Sequence, residues 1–394
     1  MGQVQFTKKS FNSKLITHDK GVNSMTKEEY NYWLDNISNI GIKRIELLLQ
    51  VFGSAEGVFR ATRIELEQFM QDCTASGIRF TMAEVDSICM SKDTSKIQTN
   101  YAKLKKSGIY FVSREDERYP NKLRFIYDAP FALYVRGRLP KDGDKLLAVV
   151  GARECSPYGK EMAKYLAAAV AKEGIAVISG LARGIDAYAH EGALISGGIT
   201  YGVLGCGIDI CYPKENINLY MEMHKEGGLL SEYAPGVQPI AGNFPMRNRI
   251  ISGLSDGILV IEAKQKSGSL ITVDMGLEQG KNIYALPGRA TDRASEGCNN
   301  LIKMGAKLVT SPKDILEDLI PNYEQTMDEL KKNNKLLETN GKIVYACLSL
   351  EPIHIEEIAV KTGLSMDLLM EQLLLLELRG FIKQTMKNYY VAQD

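Results

Sequence analysis

Three hydrophobic patterns succeed one another along the chain. Between residues 24 and 105 the apolar positions recur at helical spacing. In "YNYWLDNISNIGIKRIELLLQVFGS", Leu34, Ile37, Ile45 and Leu48 fall on one side around the break "NIGIKR". Between 106 and 322 the spacing collapses into nearly continuous runs: "LLAVV" (146–150), "IAVIS" (175–179), "TYGVL" (200–204), "GLLSE" (228–232), "GILVIEA" (257–263) and "NIYALPG" (282–288). Helical segments such as 160–173 and 270–280 separate them. Continuous β-branched runs are strands buried on both faces, and their alternation with helices predicts a parallel, doubly wound α/β sheet. The piece "YPNKLRFIYDAPFALYVRGRL" (119–139) is expected to add an edge strand. Residues 323–340 are polar and read as a linker, and 341–394 give three helical segments and a short hairpin, the order of a winged helix. The expected organisation is a flexible N-terminus (1–23), a helical domain (24–105), the α/β domain (106–322), the linker and the winged helix (341–394).

Composition narrows the chemistry. The chain has 394 residues with 48 basic and 48 acidic side chains, so an anion site has to be local rather than a property of the whole field. Seven scattered cysteines without a C-x-x-C pair and four distant histidines speak against a zinc site or a disulfide framework. The first residues, "MGQVQFTKKSFNSK", lack the apolar core of a signal peptide, and Phe6 breaks the myristoylation pattern. No apolar run reaches membrane-spanning length, so the expected location is the cytoplasm.

In open α/β sheets ligands bind beyond the carboxyl ends of the strands, which makes the exit loops the place to look. After "LLAVV" comes "GARECSPYG": Gly151 allows a tight turn, Arg153 offers a fork for phosphate oxygens, and Ser156-Pro157 begins a helix whose first amides are expected to be free. A pyrophosphate lying against the backbone would want glycine in place of Arg153. The ribose-binding acid of a dinucleotide fold is also missing after the second strand, where Ser179-Gly180 and then Arg183 follow. Asp186 and His190, four apart, could form an acid/base pair; a structural hydrogen-bonding role suits them better. Cys206, between Gly205 and Gly207, has no base near in sequence and reads as a packing residue. In "NFPMRNRIISG", Phe244 beside Arg247 and Arg249 joins a stacking surface to forked cations, the combination that holds single-stranded nucleic acid; core packing is an equal reading for Phe244. Arg247 and Arg249 point different ways on a helix, so one is expected to anchor structure. Lys264 and Lys266 lead into Ser267-Gly268-Ser269, a second helix start suited to an anion, and Pro287-Gly288-Arg289 closes the row.

The terminal regions say less. The turn at Gly41, with Lys43 and Arg44, fits a helix-hairpin-helix phosphate site, but simple packing of a small helical domain is the preferred reading. The third helix of the winged module (365–379) carries Asp367, Glu371 and Glu377 against Arg379, and residues 335–394 hold six basic and eight acidic residues. A helix reading duplex DNA needs the opposite balance, so protein contact is expected of this module.

The ordered motifs "VVGAR", "SGLARGID", "LGCGID", "FPMRNRIISGLSDG", "SGSLIT" and "GCNNLI" resemble the DprA/Smf family, the DNA-processing proteins of bacterial transformation, over about 119–320. The resemblance implies an extended Rossmann-like domain between a SAM- or helix-hairpin-helix-like N-terminal domain and a winged helix. It implies a non-enzymatic, cofactor-free protein that binds single-stranded DNA, loads RecA recombinase and forms a homodimer around Asn300, Leu301 and Ile302. Carried over by position, the DNA contacts are Gly151, Arg153, Ser156, Phe244, Arg247, Gly268 and Ser269; Arg183, Lys264 and Lys266 join them as cations on the same rim. One departure is Ala241, where relatives often have lysine. The alternative is a nucleotide-binding or phosphoribohydrolase-like enzyme of the same superfamily. Those carry P-G-G-x-G-T-x-x-E where this chain has "KSGSLITVDMG", without the catalytic glutamate.

Overall fold

The structure, a computed structural model, describes residues 25–321, 323, 339–349, 351–378 and 381–392. The expected flexible N-terminus, most of the linker and Arg379 lie outside these residues.

Six helices open the described chain: α1 (Lys27–Asp35), α2 (Ile42–Phe52), α3 (Ala55–Arg60), α4 (Arg63–Ala75), α5 (Met82–Met90) and α6 (Thr94–Lys106). Capping boxes start three of them, with Thr26, Thr62 and Thr81 each exchanging hydrogen bonds with a glutamate three residues on. Around the Gly41 turn, Arg44 is held by Glu84 at 3.0 Å, which agrees with a packing role for this region. The helices bury Trp33, Leu34, Leu48, Leu66 and Phe69 in a cluster that continues into Phe111, Tyr134 and Leu229 of the sheet. At this junction Tyr134 donates to the Asp35 carboxyl at 2.9 Å, and burial pushes that carboxyl up to about 7.

The sheet has nine strands among the described residues: β1 (Tyr110–Ser113), β2 (Ala132–Gly137), β3 (Leu146–Val150), β4 (Ala176–Ser179), β5 (Thr200–Leu204), β6 (Gly228–Ser231), β7 (Gly257–Val260), β8 (Asn282–Ala285) and β9 (Lys307–Leu308). Their order is β1-β2-β6-β5-β4-β3-β7-β8-β9. Strands β6 through β9 in that row are parallel, while β1 and β2 run antiparallel at one end. The expected edge strand is therefore corrected. β2 is flanked on both sides, and the edge belongs to β1, which follows α6 directly.

Helices α8 (Pro157–Lys172), α9 (Ile185–Ile195), α10 (Ile217–Glu226), α11 (Asn243–Leu254), α12 (Gly268–Glu278) and α13 (Glu296–Lys303) connect the parallel strands; a short α7 (Asn121–Arg124) precedes β2. The chain winds from β3 outward to β6, then crosses back to place β7 on the other side of β3, with Val150 paired to Val260. This reversal opens a crevice beyond the carboxyl ends of β3 and β7, where α/β sheets place ligands.

The C-terminal unit is separate. Its helices 339–346, Ile355–Thr362 and Met366–Leu378 pack with a sheet of Ile353–His354, Tyr389–Ala392 and Ile382–Met386, the first strand lying between the first two helices in the chain, around Val344, Ile358, Leu369, Leu373 and Tyr390. On the third helix Met366, Met370, Leu374 and Leu378, each four apart, are exposed.

Candidate functional site

The exit of β3 sets the site. Gly151 is required by the protein's own atoms: a Cβ there would sit 2.7 Å from Ile185 and 2.9 Å from the Glu262 carbonyl. The loop is pinned further by the Ile185 amide, which donates to Ala152 at 3.1 Å. This leaves Arg153 exposed, with its guanidinium 5.7 Å from the centre of the Phe244 ring, within cation–π range.

Phe244 itself stands at the start of α11, half-buried. One edge fills the space left by Gly205, where a Cβ would come within 2.8 Å of the ring. Tyr212 lies beside it, ring centres 5.5 Å apart and tilted 34°, and is 45% exposed. Core packing and exposure thus both describe Phe244: one edge is fixed and the rest faces a hollow of about 580 Å³. Val150, Gly151, Arg153, Tyr212, Ala241, Phe244, Arg247, Ser267, Gly268 and Ser269 line it.

Arg247 is the buried cation of this hollow, only 4% exposed. It donates to the carbonyl of Gly180 at 2.6 Å and to that of Val203, tying the exits of β4 and β5 together. Burial lowers its pKa to about 10, with Asp186 opposing the shift, so it stays charged at neutral pH. Arg249 takes the anchoring role outright, paired with Asp128 at 2.9 Å and Glu232 at 2.6 Å.

Ser267 caps α12, whose first turn opens on the hollow. Its hydroxyl lies 2.8 Å from that of Ser269 and accepts the Ser269 amide at 3.4 Å. Gly268 has open space where a side chain would stand. Amides, hydroxyls and the helix's positive end therefore converge on one spot, an arrangement suited to a phosphate.

The start of α8 differs from expectation. The Ser156 amide donates to Glu262 at 2.9 Å, the Ser156 hydroxyl donates to the other carboxylate oxygen, and that hydroxyl accepts from the Gly159 amide at 3.0 Å. Glu262 is 2% exposed. A carboxylate of the protein already occupies this helix terminus, so the Ser156 and Gly159 amides are not free, and Ser156 does not line the hollow. Arg183 borders a smaller recess of about 50 Å³ beside Phe244, but it forks onto Glu215 at 2.6 and 2.9 Å. Lys264 and Lys266 are exposed on the neighbouring loop, outside the hollow's lining.

Asp186 and His190 do not form a proton-transfer pair. Asp186 accepts the Gly180 amide at 3.1 Å and the Ala182 amide at 3.4 Å, and burial raises its carboxyl. His190 meets Thr200 at 2.7 Å, and burial drives its pKa down to about 3, leaving it neutral. Cys206 is a packing residue, 1% exposed, its thiol pushed up to about 11 by burial. Among the described residues no cluster of histidine, cysteine or carboxylate could hold a metal ion, and no helix is long and apolar enough to cross a membrane.

Two residues of this site escape sequence reasoning. Tyr212 is 32 positions from Phe244, and nothing local signals their contact. Glu262 had a signal: a lone acid ending the apolar run "GILVIEA" needs a buried partner.

Fold and site together define a doubly wound α/β protein whose switch-point hollow is lined by cations, an open helix terminus and a half-exposed aromatic. Comparison with known proteins agrees. The model of DNA recombination-mediator protein A matches residues 110–320, and the DprA winged helix domain matches 336–385. The chain belongs to the DNA recombination-mediator protein A family. It is 45% identical over 203 residues to DNA processing protein DprA of Streptococcus pneumoniae, covering 52% of this chain and 72% of that protein. It is 30% identical over 397 residues to protein Smf of Synechocystis, covering 91% and 98%. The X-ray structure of the S. pneumoniae protein superposes with a TM-score of 0.65 at 35% identity, over 75% of this chain and 99% of that one.

Proposed function

We propose that the protein binds single-stranded DNA at the switch-point hollow and hands it to RecA recombinase. The carrying observation is Phe244, half-exposed beneath the Arg153 guanidinium and across the hollow from the open start of α12. A base stacks on the ring, Arg153 pairs the adjoining phosphate, and the Ser267–Ser269 turn receives another. A duplex hides its base faces, so this arrangement favours single strands. Arg247 contributes charge from below while holding the floor together. The carboxylates nearest the hollow, Asp186 and Glu262, both accept backbone amides, which supports binding over hydrolysis.

Pairing of two copies runs through α13 in this reading. Leu301 and Ile302 are half-buried against the sheet, Asn300 is beside them, and Met304 and Leu308 are exposed next to them. The apolar face of the winged module's third helix suits a protein partner better than a nucleic acid. The cytoplasm, where RecA and incoming DNA meet, is the matching location.

The deciding experiment is fluorescence anisotropy with single- and double-stranded oligonucleotides of equal length across a salt series. Single strands are expected to bind at least tenfold more tightly, with log Kd varying linearly with log salt; equal affinity for duplex overturns the proposal. RecA filament formation on single strands, with and without the protein, tests the hand-over. Size-exclusion chromatography with light scattering on Leu301→Arg tests the dimer.

A further inference from the structure

The rim on either side of the hollow is not symmetric in charge. On the β4 side Arg183 is spent on Glu215, at 2.6 and 2.9 Å. On the β7 side the exit loop carries Lys264 and Lys266, both exposed. The next loop, after β8, carries Arg289 and Arg293, also exposed. Backbone bonds stitch the two loops together: the Ala263 amide donates to Ala294 at 2.8 Å, and the Gly297 amide donates to Ala263 at 2.8 Å. Among the described residues none of these four cations enters an ion pair. Of the acids here, Asp292 accepts the Ala294 amide at 3.1 Å, Glu262 is bound to Ser156, and Glu296 alone is exposed.

Four unpaired cations held on two stitched loops, with no aromatic among them, make a surface for phosphates and not for bases. Resting on the reading of the hollow as a single-strand site, we propose that the DNA leaves it on the β7–β8 side, its backbone passing Lys264 and Lys266 to reach Arg289 and Arg293. The exit is directional because the opposite rim has its arginine neutralised. Bases on this stretch face solvent, which leaves them open to pairing or to another protein.

The test is anisotropy with a twenty-residue oligothymidylate over a salt series, using four proteins: wild type, Phe244→Ala, the double variant Arg289→Ser/Arg293→Ser, and Arg183→Ser. The double variant is expected to bind about tenfold more weakly, with its salt slope reduced by about 1.4, near 0.7 for each phosphate no longer neutralised. Arg183→Ser is expected to bind as wild type. Unchanged affinity and slope in the double variant, with Phe244→Ala still impaired, overturn the exit path alone. No effect of Phe244→Ala overturns the hollow and the path with it. An equal loss in Arg183→Ser and the double variant shows a diffuse charge effect and also overturns the path. Melting temperatures within about 2 °C of wild type confirm that the exposed substitutions leave the fold intact.

Discussion

Helices α8 and α12 follow neighbouring parallel strands, begin beside the same hollow and are each capped by a serine, Ser156 and Ser267. At α8 the Glu262 carboxylate sits on the terminus, joined to the amide and hydroxyl of Ser156. At α12 the first turn faces the hollow with its contacts confined to its own residues: the Ser267 hydroxyl meets that of Ser269 and accepts the Ser269 amide, and among the described residues no carboxylate sits on it. A helix start attracts an anion through its unpaired amides and its dipole, whatever the anion's source. Here the protein supplies one anion itself and leaves the second place open. Filling the first terminus has a use: it fixes the loop that carries Arg153, so the guanidinium over Phe244 is held before ligand arrives. Preorganisation of this kind lowers the ordering cost of binding.

The comparison breaks most severely if the open terminus is given its own carboxylate. Gly268→Glu places an acid where α12 is open, into space free of neighbouring atoms. Binding of single-stranded DNA is expected to fall at least a hundredfold with little change in melting temperature, read by anisotropy and circular dichroism. Next in size is Phe244→Ala, which removes the stacking surface and costs about 2 kcal/mol of binding, roughly thirtyfold. The filled terminus is probed by Glu262→Ala. It strands the Ser156 amide and hydroxyl, and is expected to lower stability by about 2 kcal/mol in denaturant titration. The same variant sharpens the point about vacancy: sulfate should raise its melting temperature more than that of wild type, because an external anion can now take the empty place. Equal sulfate effects in the two proteins would show that α8 does not behave as an anion site.

The difference between the two helices was only half legible in the sequence. Serine caps were visible at both, as was the glycine at 268, because capping is local chemistry. What fills the α8 terminus comes from 106 residues further along, and no periodicity reports such a contact. The strands β3 to β8 were legible because parallel strands buried on both faces read as unbroken apolar runs; every residue of Leu146–Val150 is buried. Their ends were less so. "GILVIEA" stays apolar past Val260 because Ile261 and Ala263 are buried in the exit loop, so hydrophobicity tracked burial beyond the end of the strand. β1 was missed because its four residues follow α6 closely and have no alternation of their own. The tight turn read at Gly151 gains a second reason, since Ile185 and the Glu262 carbonyl leave no space for a side chain there.

The smallest expected effect separates two arginines that look alike in "GARECS" and "LARGID". Arg153→Ala should flatten the salt dependence by about 0.7, the share of one phosphate on a single strand, and should do so equally for oligonucleotides of any sequence. Arg183→Ala should change affinity less than twofold. Its guanidinium is already forked onto Glu215, so a phosphate would have to displace a carboxylate before gaining anything. Removing both members of that pair, Arg183→Ala with Glu215→Ala, should likewise leave binding near wild type, because the net charge and the hollow's lining are unchanged. Glu215→Ala alone then becomes the informative variant. It frees Arg183 at the rim of the small recess beside Phe244, and affinity for single strands should rise by about twofold to threefold at low salt, with the gain lost as salt is raised.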